Sequence, residues 1–203
     1  MKLYYSPGAC SLSPHIVLCE ADLPFELIKV DLQEKLTETG EDFRSVSPNG
    51  YVPVLVLDDG NKLTEGPAII QYLADRVPAK KLAPAAGTFE RYNLQQWLNF
   101  ISTELHKTFS PLFNANMPDQ AKNLFRETLS SRFKWVADNV SAQPYLMGND
   151  FTIADAYLFV VLRWAKLMSI DISRWPSLVQ YKKRIADRPA VKRALQEEGL
   201  NVD

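Results

Sequence analysis

The first 80 residues alternate short apolar runs with helical spacings, and the rest of the chain shows helical spacing alone. Residues 2–6 (KLYYS) read as a short strand halted by Pro7-Gly8. Residues 12–21 place Leu12, Ile16, Val17 and Leu18 at helical intervals, with Ser13-Pro14 as cap and first helical position. Residues 25–30 (FELIKV) alternate well enough for a strand, and 41–46 suit a short helix. Residues 52–57 (VPVLVL) are a continuous apolar run, the pattern of a buried strand. Asp59-Gly60 tolerates positive φ and predicts a hairpin turn into a partner strand at 61–64. Residues 67–77 set Ile69, Ile70 and Leu73 on one side of a helix. The predicted order is β-α-β-α-β-β-α.

Beyond Val77 the pattern changes. Pro78 and Pro84 bracket a short linker, and helical periods occupy 89–113, 120–140, 151–168, 177–186 and 190–197. The expected organisation is an α/β domain over residues 1–80 and an all-helical domain over 81–203. Thr152-Ile153-Ala154-Asp155 has the spacing of a capping box, with Asp in the place usually held by Glu or Gln and Phe151 as the hydrophobic staple. Asp155 is therefore read as a folding signal for the central helix and not as a catalytic carboxylate.

Composition narrows the function classes. Of 203 residues, 23 are basic and 24 acidic, a net charge of −1 that lacks the basic excess of a nucleic-acid binder. Residues 1–80 carry 7 basic and 12 acidic groups, whereas 81–203 carry 16 and 12, with the basic ones scattered. The uncharged stretch 45–57 is thirteen residues broken by Pro48, Gly50 and Pro53, too short to span a bilayer. No secretory signal is evident, so a soluble, cytoplasmic protein is expected. Nine helical steps from Cys10 to Cys19 cover roughly 13 Å, beyond the ~7 Å limit for a disulfide. Free thiols in a reducing compartment are expected.

The chemistry concentrates at Ser6-Pro7-Gly8-Ala9-Cys10-Ser11, between the first strand and the first helix. A thiol at a helix N-terminus meets unpaired N–H groups and the positive end of the helix dipole. Such a setting stabilises thiolate by ~0.5–2 kcal/mol and would bring the thiol to a pKa of roughly 7–8. There is no Cys-x-x-Cys, so the partner thiol must come from a ligand. Cys19 reads as an inert, buried thiol.

The α/β half resembles thioredoxin-like proteins. The whole chain resembles bacterial beta-class glutathione S-transferases, in particular those of biphenyl-degradation pathways. Five motifs carry the resemblance: Tyr5 to Cys10; Asn49-Gly50-Tyr51-Val52-Pro53-Val54-Leu55; Thr64-Glu65-Gly66-Pro67-Ala68-Ile69; Trp97-Leu98-Asn99 through Glu104-Leu105-His106-Lys107 with Phe151-Thr152-Ile153-Ala154-Asp155; and Arg188-Pro189-Ala190-Val191. It implies a thioredoxin-like, glutathione-binding N-terminal domain and a helical C-terminal domain holding an electrophile.

The resemblance also assigns residues. Cys10 lies opposite the glutathione sulfur and can form a mixed disulfide with it. Val52 pairs through its backbone with the cysteinyl part, before a cis Pro53. Glu65 and Gly66 hold the γ-glutamyl end, and Gly66 stands where many relatives have a hydroxyl residue. Lys35 reaches the glycine carboxylate. Asn99, Thr103 and His106, spaced i, i+4, i+7, form a polar stripe that the resemblance places, with Glu104, at the glutathione site. His106 joins Cys10 as a catalytic candidate. Phe109, Phe113, Trp164 and Met168, with Tyr5, are candidates for the wall of an apolar substrate pocket. Tyr5 and Ser11 are rival thiolate stabilisers. The implied protein is a homodimeric enzyme that uses glutathione against a small hydrophobic electrophile, halogenated aromatics being among the candidates, with no metal, nucleic acid or membrane partner. Thiol–disulfide exchange or reductive dehalogenation through Cys10 are further outputs. The alternative is a ligand-binding or regulatory protein on the same fold with little turnover.

Overall fold

The computed structural model describes residues 1–201. The described residues fold as two compact units: residues 1–82 together with 188–201, and residues 83–187.

The first unit begins with β1 (Lys2–Tyr5), α1 (Leu12–Ala21), β2 (Glu26–Asp31) and β3 (Leu36–Thr37). It continues through β4 (Val54–Val56), β5 (Lys62–Thr64) and α2 (Gly66–Asp75), and ends with α8 (Pro189–Glu197). The sheet order is β3-β2-β1-β4-β5, with β1 and β2 parallel and every other pair antiparallel. β1 alternates as a strand must. Leu3 and Tyr5 are buried, and Tyr4 instead stacks on Phe43 at 5.6 Å beside Val30, Val52 and Val54. α1 buries Leu12, Ile16, Val17 and Leu18 completely, each worth about 1.5–3 kcal/mol of transfer free energy.

The sequence reading misses β3, whose two residues are too few to show a period. The helix expected at 41–46 is a single 3₁₀ turn, Phe43–Ser45, capped by the Asp42 carboxylate. Sequence position puts α8 in the helical domain. In the structure it packs on α1 through Val191, Ala194 and Leu195, which are fully buried. Arg188 adds a two-pronged ion pair to Glu20 of α1.

The second unit holds α3 (Phe89–Phe100), α4 (Lys107–Phe109), α5 (Asp119–Val140), α6 (Ile153–Leu167) and α7 (Pro176–Ala186). The long helix expected at 89–113 is interrupted. α3 runs into a π-helical stretch, Ile101–His106, then α4, then a 3₁₀ turn at Ser110–Phe113. Pro111 has no N–H to donate into an α-helical ladder, and the helix tightens there. α6 is the core of the unit, with twelve of its fifteen residues buried. Its capping box is formed as expected: Thr152 N–H donates to Asp155 Oδ2 at 2.8 Å. Asp155 also accepts the Leu146 N–H at 2.8 Å and the Tyr181 hydroxyl at 2.7 Å. No helix among the described residues is long and apolar enough to cross a membrane.

Candidate functional site

In the first unit the loop from Ser6 to Ser11 is closed by one side chain. The Ser11 hydroxyl, fully buried, accepts the Ser6 N–H at 3.1 Å and donates to the Ser6 carbonyl at 3.2 Å. Ser11 thus shapes the loop and is not aimed at a ligand. Gly8 takes φ 71°, and its N–H donates to Glu198 Oε2 at 2.8 Å. The other Glu198 oxygen, Oε1, lies 2.9 Å from His15 Nδ1, and His15 Nε2 lies 2.7 Å from Glu197 Oε2. With a carboxylate on each ring nitrogen, His15 is an imidazolium. Burial pulls its pKa down, but its bonds to Cys19, Glu198 and Glu197 outweigh that and raise it to about 10. Sequence reasoning did not single out His15, Glu197 or Glu198. The contacts join residues more than 180 positions apart, and no local pattern announces them.

Cys10 sits just ahead of α1 and is half-buried. Its thiol donates to the Val52 carbonyl at 3.3 Å. The acidified thiol expected from the helix terminus is not what the geometry gives. Burial pushes Cys10 up to about 12, and the Glu65 carboxylate adds to the rise. The N–H groups of Cys10 and Ser11 pull the other way and do not prevail. The free protein therefore carries Cys10 as a neutral thiol. Cys10 and Cys19 are both unbridged.

Val52 leads into the expected cis bond to Pro53. Glu65 takes φ 65° and ψ 110°, a conformation L-residues adopt only at a cost of about 1–3 kcal/mol. Its carbonyl receives the Ala68 and Ile69 N–H groups as α2 begins at Gly66. The structure thus gathers Cys10, Val52 and Pro53 at one point, with Gly66 near Pro53: a Cβ on Gly66 would stand 3.9 Å from the proline ring. Lys35 donates to the Gly50 carbonyl at 2.9 Å and lies over the Tyr51 ring, one residue from Val52. Gly50 must be glycine there, since it has φ 64° and a Cβ would come within 3.1 Å of the lysine stem. Tyr5 is not a pocket residue in this unit. It is buried, 6.3 Å from the His15 ring, and burial raises its phenol further above its ordinary range.

The second unit holds His106 and the candidates Phe109, Phe113, Trp164 and Met168. His106 Nδ1 lies 2.7 Å from the Tyr157 hydroxyl, and its ring meets Trp164 edge-on at 4.9 Å. Burial, with Lys107 nearby, lowers its pKa to about 4, so it is neutral at pH 7. Phe109 and Phe113 each lie 5.6 Å from Trp164, and Phe113 is half-exposed. Phe109, Phe113 and Trp164, expected to wall a pocket, lie against one another, with Phe109 and Trp164 buried. Met168 comes just after the end of α6, where its carbonyl accepts from Arg126 at 3.0 Å. Tyr157, bonded to His106, is a residue that sequence reasoning missed, because in a mostly apolar helix its hydroxyl looks like ordinary core.

The polar stripe of Asn99, Thr103 and His106 does not survive. The i→i+5 turns between Ile101 and His106 insert an extra residue and rotate the later side chains about the helix axis. Asn99 and Thr103 are exposed, bonded to each other through the Thr103 hydroxyl and the Asn99 carbonyl at 3.0 Å. His106 faces Tyr157 and Trp164 instead. Glu104 is held by Arg132 at 2.8 Å.

Comparison with known proteins agrees with this geometry. The family model "Glutathione S-transferase, N-terminal domain" matches residues 8–76, and "Glutathione S-transferase, C-terminal domain" matches residues 103–198. Glutathione S-transferase GstA of Escherichia coli O157:H7 is 46% identical, covering 98% of this chain and 100% of its own. The bacterial transferase BphK, solved as a ternary complex, is 60% identical with a TM-score of 0.97, covering 98% of this chain and 100% of its own. A sphingomonad glutathione S-transferase complexed with glutathione is 47% identical with a TM-score of 0.96, covering 99% and 100%. A thioredoxin-like unit that sets a thiol against a cis-proline strand, an aromatic helical unit, and two family matches spanning most of the chain lead to one conclusion: this protein belongs to the glutathione S-transferase family.

Proposed function

We propose that the protein binds glutathione on its first unit through Cys10, Val52, Glu65, Gly66 and Lys35, and transfers it to a small apolar electrophile received by the aromatic wall of Phe109, Phe113 and Trp164. As a glutathione S-transferase it uses glutathione as co-substrate. The observation that carries the site assignment is the Cys10 thiol donating to the Val52 carbonyl.

That carbonyl is the backbone acceptor an extended cysteinyl residue would use. When glutathione arrives, its cysteinyl N–H takes the Val52 carbonyl and the released Cys10 S–H turns to the incoming sulfur. A neutral thiol donor stabilises the glutathione thiolate better than a second thiolate would, because two like charges in one site repel. The thiolate then attacks the electrophilic carbon. A C–S bond forms, the leaving group departs with its electron pair, and the thiol proton passes to solvent. Holding both reactants in place supplies much of the acceleration. The Glu65 carboxylate suits the γ-glutamyl ammonium, and Lys35 the glycine carboxylate. With a disulfide-bearing ligand, Cys10 gives its proton to solvent and attacks one sulfur; the S–S bond breaks and the other sulfur leaves as thiolate, which completes thiol–disulfide exchange.

The test is calorimetry and kinetics on Cys10→Ala. Glutathione still binds within a few-fold of the parent, and thiol–disulfide exchange falls to background. Undiminished rates in that variant overturn the role of Cys10, and no heat on injecting glutathione into the parent protein overturns the site. The protein acts in the cytoplasm as a homodimer, so light scattering at micromolar concentration gives twice the 23.0 kDa chain mass. The alternative of a binding protein with little turnover has no observation in its favour.

A further inference from the structure

One cluster of chemically able side chains stands outside the glutathione assignment. His15 and Cys19 are one turn apart on α1 and share a face. Glu197, near the end of α8, lies opposite them. A ring nitrogen of His15, the Cys19 sulfur and a Glu197 carboxylate oxygen all lie within 4.8 Å of one another. We propose that His15, Cys19 and Glu197 form a zinc-binding site in which Glu198 orients the imidazole, and that the bound ion fastens α8 to α1.

The donor set is zinc's own: one thiolate, one imidazole and one carboxylate, with a fourth position for water. Zinc bonds of about 2.0–2.3 Å put tetrahedral donors roughly 3.2–3.7 Å apart. The farther donors reach that by closing about 1 Å at most, and His15 Nε2 and Glu197 Oε2 by opening about 0.5 Å. His15 Nε2 already points at Glu197 Oε2 from 2.7 Å. Glu197 is the mobile arm and the way in, since its side chain is 31% exposed whereas that of His15 is fully covered.

The surroundings also suit an ion. A zinc-bound histidine regularly donates its other N–H to a carboxylate, which fixes the tautomer and strengthens the ligand. Glu198, buried and 2.9 Å from His15 Nδ1, stands in that position. The second Glu197 oxygen is held by Arg193 at 2.8 Å, leaving Oε2 for the ion. Phe25 and Tyr5 close the sides of the imidazole.

Zinc forms bonds to Nε2, the sulfur and the carboxylate, and any proton on Nε2 or the sulfur leaves to solvent. One thiolate and one carboxylate match the charge of the ion, so the loaded set has net charge zero. The site uses none of the residues assigned to glutathione, and the ion takes no part in the transfer.

The experiment uses the untagged, full-length protein free of glutathione, with Cys10→Ser so that Cys19 is the sole thiol. Titration with cobalt(II) is expected to give a thiolate-to-cobalt charge-transfer band that saturates at one equivalent and is displaced by zinc. Adding Cys19→Ser abolishes the band. Glu197→Gln weakens binding tenfold or more, and Glu198→Gln by about 10–100-fold, the usual cost of losing an outer carboxylate. Zinc at a hundredfold excess over its dissociation constant raises Tm by about 5 °C. Glu197→Ala changes a partly exposed side chain, and it removes that rise even if the Cys19 variant does not fold. A missing charge-transfer band, a band that survives Cys19→Ser, or a Tm indifferent to zinc overturns the proposal.

Discussion

Three side chains in this protein have acidities far from those ordinary for their types, and for His15 the shift changes the charge carried at pH 7. Cys10, next to a helix N-terminus, is a neutral thiol because burial outweighs the nearby N–H groups. Alkylation of Cys10 in the free enzyme, monitored by mass spectrometry against pH, is therefore expected to be slow at pH 7 and to climb throughout the alkaline range. A plateau below pH 8 would refute this. The two histidines move in opposite directions and act on opposite limbs of the stability curve. His106 has a folded pKa near 4, below its unfolded value, so the unfolded chain binds the extra proton first. Stability is expected to fall between about pH 6.5 and 4, by roughly 3 kcal/mol at most. His15 has a folded pKa near 10, above its unfolded value. Its contribution is complete below about pH 6.5 and is lost as pH rises toward 10, on the order of 5 kcal/mol. Urea midpoints measured across pH should show His106→Asn flattening the acid limb and His15→Gln flattening the alkaline one.

At the scale of elements, α6 shows how a helix start can hold a whole unit. Asp155 serves the first turn of α6, the segment before it and α7 at once, through Thr152, Leu146 and Tyr181. Asp155→Ala takes the acceptor from two buried N–H groups and from the Thr152 and Tyr181 hydroxyls, and each group left unpaired costs about 1–3 kcal/mol. A loss of about 3–5 kcal/mol in urea unfolding is expected, where an exposed cap alone would cost about 1 kcal/mol. The capping box was legible in the sequence because its logic is local, four consecutive residues. The links to Leu146 and Tyr181 were not, because they depend on which helix lies beside the cap. The π-helical stretch was illegible for a related reason. Its residues, ISTELH, have good α-helical spacing, and only the bonds actually made show the extra residue per turn.

At the scale of the whole molecule, the first unit is not a continuous piece of chain. α8 covers α1 with Val191, Ala194 and Leu195, and Glu198 brings a carboxylate to both His15 and the Gly8 N–H. A chain ending at Asp187 is expected to lose its cooperative urea transition in the first unit and to bind the dye ANS. A truncated chain with an unchanged midpoint would show that α8 is a passenger. The same arrangement makes the Cys10 loop dependent on residues almost two hundred positions away.

The amino-acid sequence by itself determined the class of each half, most of the strand–helix order of residues 1–80, the cap of α6 and, through five short motifs, the family. Those features rest on spacing and on neighbours along the chain, which a sequence displays directly. Tertiary structure alone decided that Cys10 holds its proton, that Tyr5 is core, that His106 leaves the stripe of Asn99 and Thr103 for Tyr157 and Trp164, and that α8 completes the first unit. Each of these depends on desolvation or on a partner distant in sequence. Both are properties of the packed surroundings, and the order of residues does not state them.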